Sequence, residues 1–227
     1  MRPYGRYYMV ALKTFENLNE ERKLEIIQAS LEEFAMNEYR TASLSNIIKK
    51  LGLAKGSFYR YFENKQSLFF YVLDYCINLR IENDKKYITQ EPQDFFDLML
   101  LHIQSKIRFD QTQPLASIFF YNVLQERNSE ELGNIWYISK QKGLDILEMT
   151  VDKFIEKGQL RTDMDAKLIA WSVFESVMSF MNYIEHRFQQ DFGKNSKTLG
   201  KLYDMHEHEL MNIAQQFVEI QKHGVSN

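Results

Sequence analysis

The chain has few of the residues that interrupt helices or cross-link loops. Among its 227 residues are 3 prolines, 9 glycines and a single cysteine, Cys76. So few helix breakers over this length favour long helices over strands joined by many turns. One cysteine excludes a disulfide within the chain, and it fits a reducing, cytoplasmic location.

Long apolar runs are also missing. No stretch of about 18 consecutive apolar residues occurs, so we predict no transmembrane helix. The first residues lack the apolar centre, roughly 7–15 residues long, of a secretory signal. What is present, 44% hydrophobic and 26% charged residues, is the composition of a globular protein that buries its own core.

Charge is unevenly divided along the chain. The net charge of −3 combines +3 over residues 1–70 with −6 over residues 71–227. A basic end on an acidic remainder suits a polyanion-binding module joined to a second domain. Residues 1–18 form a basic extension, which is either an arm that touches DNA or a segment with no special role.

The most informative stretch lies between residues 43 and 69. An apolar pattern with helical spacing predicts a helix over about 44–51, with Ser43 as its N-cap; its members are Leu44, Ile47, Ile48 and Leu51. Gly52 then suits a tight turn. A second helix is expected over about 55–62, with Phe58 and Phe62 on its inner face. The outer face holds cations, hydroxyls and small groups, which suit a groove of DNA.

Residues 20–69 resemble the DNA-binding domain of the TetR family of transcriptional regulators. The resemblance is carried by GLAKGSFYRYF at 52–62 and NKQSLF at 64–69, a long ordered match. It implies an all-α fold of about nine helices. An N-terminal three-helix head with a helix-turn-helix would precede a larger helical body for ligand binding and dimerisation.

The resemblance also implies which side chains contact DNA. Lys55, Ser57 and Arg60 are the candidates for contacts to bases. Gly56 would let the backbone approach, and the remaining candidates would hold phosphates: Ser43, Tyr59, Tyr61 and Lys65. Tyr59 and Tyr61 could instead pack inside the head. Ala54 stands where the family often has serine, so the second helix loses a possible N-cap.

The boundaries follow from the helical patterns. We expect a basic N-terminal extension over 1–18, the DNA-binding domain over 19–66, with its helix-turn-helix at about 43–62, and the C-terminal body over 67–227. The predicted helices span about 19–37, 44–51, 55–62, 65–87, 92–109, 114–126, 130–157, 165–188 and 198–222.

The last two predicted helices suggest an interface. The helix over 165–188 is apolar on most of its circumference, so it is expected to be buried on several sides. The helix over 198–222 has a narrower apolar stripe. Both would form the four-helix homodimer interface usual in the family. The alternative is that 165–188 is a core helix of a monomer.

Aromatic and methionine side chains of the body could line a pocket for a small molecule. The same spacing also fits ordinary core packing. The candidates are Phe119, Phe120, Trp136, Tyr137, Trp171, Phe174, Glu175 and Met178. Glu175 would meet a cationic ligand or pair with a lysine or arginine.

Enzymatic chemistry finds little support. The sequence has no HExxH, no paired cysteines and no phosphate-binding glycine loop, so we predict no catalytic site, no metal and no cofactor. His206 and His208, two residues apart on the predicted last helix, would point away from each other.

These expectations describe a cytoplasmic, homodimeric repressor. It would bind a palindromic DNA operator, and a small apolar or amphipathic effector would release it. The alternative is a helical small-molecule-binding or catalytic protein whose head no longer reads DNA. The intact outer face of the helix over 55–62 argues against that alternative.

Overall fold

The computed structural model describes residues 11–126 and 129–225, without the side chains of Trp136, Ile138 and Val225. In this part of the chain the regular structure is eleven helices, with no β-strand. The all-α fold class is therefore confirmed. None of these helices, within the described ranges, is long and apolar enough to cross a membrane. The helices are α1 (Lys13–Glu16), α2 (Glu20–Met36), α3 (Leu44–Lys50), α4 (Lys55–Phe58), α5 (Lys65–Tyr87), α6 (Phe95–Thr112), α7 (Pro114–Gln125), α8 (Ile135–Glu156), α9 (Ala166–Phe188), α10 (Phe192–Leu199) and α11 (Glu207–Val225).

Side-chain caps fix where most of the long helices begin. The side chains of Asn19, Ser43 and Asn64 each accept a hydrogen bond from a backbone amide three residues later, at 2.8, 3.3 and 2.8 Å. Asp165 accepts from the amide of Lys167 at 2.8 Å. These bonds satisfy amides that lack a partner in the first helical turn. The predicted cap at Ser43 is thereby confirmed.

One compact unit consists of the chain up to Leu79 together with Leu115–Ile135. It contains α1 to α4, the first 15 residues of α5, and α7. Its core is aromatic, with ring centroids 5.0 to 6.5 Å apart among Phe34, Tyr39, Phe69 and Phe119. The amide of Asn122 on α7 also donates to the Ala35 carbonyl at the end of α2, at 3.0 Å. Helix α7 therefore packs with the head, although it lies far away in sequence.

A second compact unit consists of Arg80–Pro114 and Trp136–Asn227. It contains the end of α5, α6 and α8 to α11. Helix α11 packs against α6 and α9. Helix α9 contributes buried apolar side chains at its inner face, among them Val173, Phe180 and Ile184. Helix α5 is continuous and is shared by the two units.

The predicted helix over 198–222 is wrong. Helix α10 ends at Leu199, and Gly200 follows with a φ of 65°, a left-handed conformation that favours glycine. Helix α11 begins only at Glu207. Between them the chain buries Leu202 and Tyr203 completely. In the sequence these two residues continue an apolar helical pattern. In the structure they are buried and hold the segment that connects α10 and α11.

The geometric argument about the two nearby histidines is wrong for the same reason. His206 precedes α11, whereas His208 lies in its first turn. Their rings stack with centroids 5.5 Å apart. In residues 11–126 and 129–225, no group of three His, Cys, Asp or Glu side chains is placed to hold a metal ion.

Candidate nucleic-acid interface

Helix α2 holds both ends of α3. At the N-terminal end, the Glu33 carboxylate accepts hydrogen bonds from the Ser43 amide at 2.7 Å and the Asn46 side chain at 3.5 Å. At the C-terminal end, the Arg22 guanidinium donates to the Leu51 carbonyl at 3.2 Å. The orientation of α3 is thus set by charge-assisted bonds at two points. Sequence reasoning found Ser43 but not Arg22 and Glu33, whose partners are 29 and 10 residues away.

The turn between α3 and α4 depends on Gly52. Its φ of 61° is left-handed, and the Leu53 amide donates back to the Ile48 carbonyl at 3.1 Å. A side chain at position 52 would strain this backbone, even though no atom stands within 4 Å of where its Cβ would be. The predicted glycine turn is confirmed.

Helix α4 is shorter than predicted. It runs from Lys55 to Phe58, followed by turns through Tyr61, and Ala54 provides no side-chain cap. Without that cap the segment has fewer bonds to keep it α-helical. Phe58 and Phe62 have no exposed surface, which confirms the predicted inner face.

The opposite side of this segment faces outward. Lys55, Gly56 and Arg60 are exposed, Ser57 and Tyr61 are half-buried, and the side chain of Tyr59 is 44% exposed. A Cβ added at Gly56 would meet no atom of the protein within 4 Å. Within the described part of the chain, Lys55 and Arg60 form no ion pair, so their charges are not neutralised by carboxylates. This face presents cations, hydroxyls and accessible backbone together.

A four-residue helix that the sequence did not reveal supports the segment from behind. Phe15 on α1 is fully buried, with its ring centroid 4.8 Å from that of Phe62 and 5.0 Å from that of Tyr71. The Leu12 amide donates to the Tyr61 carbonyl at 2.9 Å. Tyr61 also contacts Phe15 edge-on at 6.1 Å. Tyr61 therefore packs inside the head while part of its ring stays exposed. The first ten residues of the predicted extension over 1–18 lie outside the described residues.

Lys65 is engaged by the turn that precedes α3. Its ammonium donates to the carbonyls of Tyr39, Ala42 and Arg40 at 2.8, 3.3 and 3.5 Å. It also lies 4.4 Å above the Tyr39 ring. An ammonium has three donors, and these contacts use them all. Reaching a phosphate would require Lys65 to leave a carbonyl.

The match to a family model identifies the head. Residues 26–72 match the model of bacterial regulatory proteins, tetR family. Residues 26–72 therefore form a DNA-binding domain of the TetR family. With this domain, the chain is a transcriptional regulator of the TetR type rather than an enzyme.

Relatives and solved structures extend the likeness beyond the head. This chain is 24% identical over 166 residues to the HTH-type transcriptional regulator YvdT of Bacillus subtilis, covering 73% of this chain and 84% of that protein. The crystal structure of a TetR family regulator from Chloroflexus aurantiacus J-10-FL superposes with a TM-score of 0.73 and 24% identity, covering 96% of this chain and 99% of the other. The regulator FadR from Bacillus subtilis, in complex with stearoyl-CoA, has a TM-score of 0.65 and 18% identity, covering 88% and 97%. At these identities the structural likeness shows a shared fold.

The residues predicted to line a ligand pocket fall in different units of this TetR-family protein. Phe119 is fully buried in the first unit, against Phe69 and Phe34 at 5.0 and 6.3 Å. Phe120, in the same unit, is half-buried. The second unit contains Tyr137, Trp171, Phe174, Glu175 and Met178. The side chain of Trp136 lies outside the described residues.

Around Glu175 the second unit forms a compact surface cluster. The carboxylate of Glu175 forms an ion pair with Lys140, whose ammonium lies 4.1 Å above the Trp171 ring. The Trp171 side chain is 48% exposed. A Cβ at Gly143 would come within 2.7 Å of the Phe174 ring, so α8 and α9 meet closely there. Glu175 thus pairs with a lysine, one of the two roles that the sequence left open.

A cleft of about 380 Å³ opens elsewhere in the second unit, between the end of α9 and the start of α11. None of the predicted ligand residues lines it. Its walls are Tyr183, Arg187, Phe188, His208, Glu209, Asn212, Ile213 and Gln216.

Proposed function

We propose that this TetR-family regulator is a homodimeric repressor that binds a palindromic operator and is released by a small apolar or amphipathic effector. The observation that supports DNA reading is the outer face of α4 and the following turn. Lys55 and Arg60, which form no ion pair among the residues that the structure describes, lie there over the buried rings of Phe58 and Phe62. The packed aromatic rings hold the backbone of this segment in place. The exposed cations that would contact DNA therefore start from a defined position.

Different side chains of this face would contact bases and phosphates. Lys55, Ser57 and Arg60 would contact base edges in the major groove, where arginine and lysine pair with guanine and serine is less selective. Ser43, Tyr59 and Tyr61 would donate to phosphate oxygens and fix the register. Gly56 would let the backbone approach. Lys65 would contribute by holding the turn that delivers Ser43.

A dimer is needed because one short helix contacts only a few base pairs. Two heads related by a two-fold axis would read half-sites about one helical turn apart, near 34–36 Å, or a multiple of it. Helices α9 and α11 support such an interface because they expose several large apolar side chains. These are Leu168, Trp171, Tyr183 and Phe188 on α9 and Ile220 on α11. Burying such side chains against a second chain would favour association.

An effector would act by shifting a population. The structurally similar FadR was solved with stearoyl-CoA, which supports an amphipathic effector for this chain as well. Effector binding in the body, over residues 67–227, would favour an arrangement of α5 that spaces the heads over 19–66 wrongly for the operator. A coupling of about 1–3 kcal/mol would change operator affinity on the order of 5–150-fold. Because the regulator acts on chromosomal DNA, we place it in the cytoplasm.

Selection of binding sites from a random DNA pool by the full chain would test the function. We expect an inverted repeat to be enriched and two chains to bind each site. Stearoyl-CoA and shorter acyl-CoAs would then be titrated against the bound complex, with free coenzyme A as the control. Failure to enrich any sequence would favour the alternative, a ligand-binding helical protein whose head no longer reads DNA.

A further inference from the structure

Three polar side chains near one another on α6 link it to two neighbouring segments of the second unit. They are Ser105, Lys106 and Asp110, which we call the α6 polar seam. Ser105 and Asp110 have no exposed surface, and the Lys106 side chain is 14% exposed. The α6 side chains around them are largely apolar, including the buried Ile103, Ile107 and Phe109. DNA contact and effector binding as proposed above use none of the seam residues.

On one side the seam binds the end of α5. The Ser105 hydroxyl donates to the Asp84 carboxylate at 2.6 Å and accepts from the Asn83 side chain at 2.8 Å. Asn83 also donates to the Ser105 carbonyl at 2.9 Å. Arg80, one turn earlier, forms an ion pair with Asp84 at 3.1 Å. Arg80, Asn83 and Asp84 of α5 thus all contact Ser105 of α6, Arg80 through a bond of 3.5 Å to its hydroxyl.

On the other side the seam binds the segment that leads into α11. The Asp110 carboxylate accepts from the Lys106 ammonium at 2.6 Å and from the Tyr203 hydroxyl at 2.5 Å. The Tyr203 amide also donates to the Gln111 side chain, at 3.4 Å. Tyr203 is fully buried and lies four residues before α11. A single helix, α6, is therefore bonded both to the end of α5 and to the start of α11.

The hydrogen bonds of the α6 polar seam determine how the neighbouring helices are positioned more than they raise the free energy of unfolding. Burying charges costs solvation that their pairing only partly returns. Shifting either neighbour along α6 would leave a carboxylate, an ammonium or a hydroxyl without its partner, and that is strongly unfavourable. In the described residues every buried side-chain polar atom has a hydrogen-bond partner. The seam therefore selects one arrangement of α5, α6 and α11.

We propose that the α6 polar seam fixes the tilt of α5 relative to α11 and so determines which half-site spacing the dimer accepts. The consequence for DNA rests on the proposed function, because it needs two heads and a dimer formed through α11. Lys65 begins α5 about 22 Å before Arg80 along the helix axis. A tilt of about 5° at the seam would move that end by about 2 Å. Half-site register is sensitive to displacements of this kind, since one base pair rises about 3.4 Å.

The first experiment compares operator spacings. The selected inverted repeat is rebuilt with one base pair added to or removed from its centre, and the affinity of each site is measured. We expect the wild type to discriminate among the three sites and Ser105→Ala to discriminate at least about fivefold less. Affinity for an isolated half-site should not change. Asn83→Ala should act in the same direction, and alanine at this half-buried helical position keeps α5 able to fold.

Ser30→Ala is the matched control. Ser30 is also fully buried, but its hydroxyl bonds only the Ile26 carbonyl of its own helix, at 2.6 Å. We expect it to keep the spacing preference of the wild type. Equal spacing preference in Ser105→Ala, Asn83→Ala and the wild type would overturn the proposal.

A second experiment does not depend on DNA or on the dimer. Exposed Lys49 and Lys197 are replaced by cysteine, labelled with a fluorophore pair and mixed with excess unlabelled chain, while buried Cys76 stays unreactive. We expect Ser105→Ala to broaden the distance distribution relative to the wild-type and Ser30→Ala backgrounds. An identical distribution would refute the positioning role, even if no operator were found. Loss of DNA selection with a broadened distribution would refute the proposed function alone.

Discussion

The ammonium of Lys65 lies 4.4 Å above the ring of Tyr39 and donates to the carbonyl of the same residue at 2.8 Å. Tyr39 in turn donates its hydroxyl to the Glu131 carboxylate at 2.6 Å. Burial and this carboxylate raise the pKa of Tyr39. The first residue of α5 thus secures the turn before α3 from two sides. Ser43, which caps α3 and is a candidate phosphate contact, follows that turn directly.

Replacing Lys65 with methionine should test whether this side chain acts by support. The variant keeps the aliphatic stem but loses three hydrogen bonds from a charged donor. We expect the free energy of unfolding to fall by about 1–3 kcal/mol. We also expect weaker DNA binding with an unchanged dependence on salt. The ammonium already donates its hydrogen bonds to carbonyls, so the wild type makes no phosphate contact there that the variant could lose. Chemical unfolding and binding at several salt concentrations provide the two measurements.

Lys55→Ala serves as the comparison for the salt measurement. It removes an exposed cation from the outer face of α4, whose charge would displace a counterion from the DNA, so the slope of log affinity against log salt should shrink by up to about 0.9. If Lys65→Met shrinks the slope equally, Lys65 contacts phosphate, as the resemblance implied.

Most of the head could be predicted because its signals are local. The caps at Asn19, Ser43 and Asn64 and the turn at Gly52 each depend on residues within a few positions. The supporting contacts could not be predicted in this way. Phe15 packs on Phe62, 47 positions away in the sequence, and nothing local marks α1 as part of the head.

The structure of the body was harder to predict from the sequence, because its organisation depends on tertiary contacts. Leu202 and Tyr203 continued an apolar helical pattern, yet Tyr203 is held by Asp110, 93 residues away. Two of the candidate ligand residues, Phe119 and Trp171, belong to different compact units, which their aromatic character alone does not indicate. Periodicity identifies a face that will be buried, and only packing decides what covers it.

Replacing both Lys55 and Arg60 with alanine should strongly reduce sequence discrimination. Each specific base contact contributes about 1–3 kcal/mol, so the affinity ratio between the selected site and a scrambled one should fall roughly 30-fold or more. Lys153→Ala with Lys197→Ala removes the same charge from exposed positions of the second unit and should preserve the ratio. Competition binding at fixed salt measures both variants. An unchanged ratio in the Lys55 and Arg60 variant would place the reading face elsewhere.

Replacing Ile220 with aspartate should weaken the dimer. Ile220 on α11 is 69% exposed, and a carboxylate there would have to be buried without a partner when two chains associate. We expect the dimer Kd to rise at least about tenfold, which corresponds to about 1.4 kcal/mol. Met149 on α8 is 63% exposed and gives a matched control, since Met149→Asp should leave the Kd unchanged. Sedimentation equilibrium would decide, and the reverse pattern would assign the interface to α8.

Replacing Tyr203 with phenylalanine should change how stability depends on alkaline pH. Burial, and then the nearby Asp110 carboxylate, raise the pKa of Tyr203 well above that of a free tyrosine. The unfolded chain therefore releases this proton from about pH 10 upward, while the folded chain retains it. Folding stability from this group is complete below pH 10 and is lost as pH rises further, by up to about 1.4 kcal/mol per pH unit.

Tyr203→Phe removes the hydroxyl whose ionisation lowers folding stability at high pH. It also removes one hydrogen bond to the Asp110 carboxylate. At pH 7 its free energy of unfolding should be lower than that of the wild type by about 1.5–3 kcal/mol. Between about pH 10 and 11 the two stabilities should converge, because only the wild type has Tyr203 to ionise on unfolding. Denaturant unfolding at fixed protein concentration from pH 7 to 11 would record this. Ser30→Ala, which alters a buried hydroxyl that does not ionise in this range, should run parallel to the wild type. Parallel curves for Tyr203→Phe as well would show that Tyr203 titrates alike in the folded and unfolded chain.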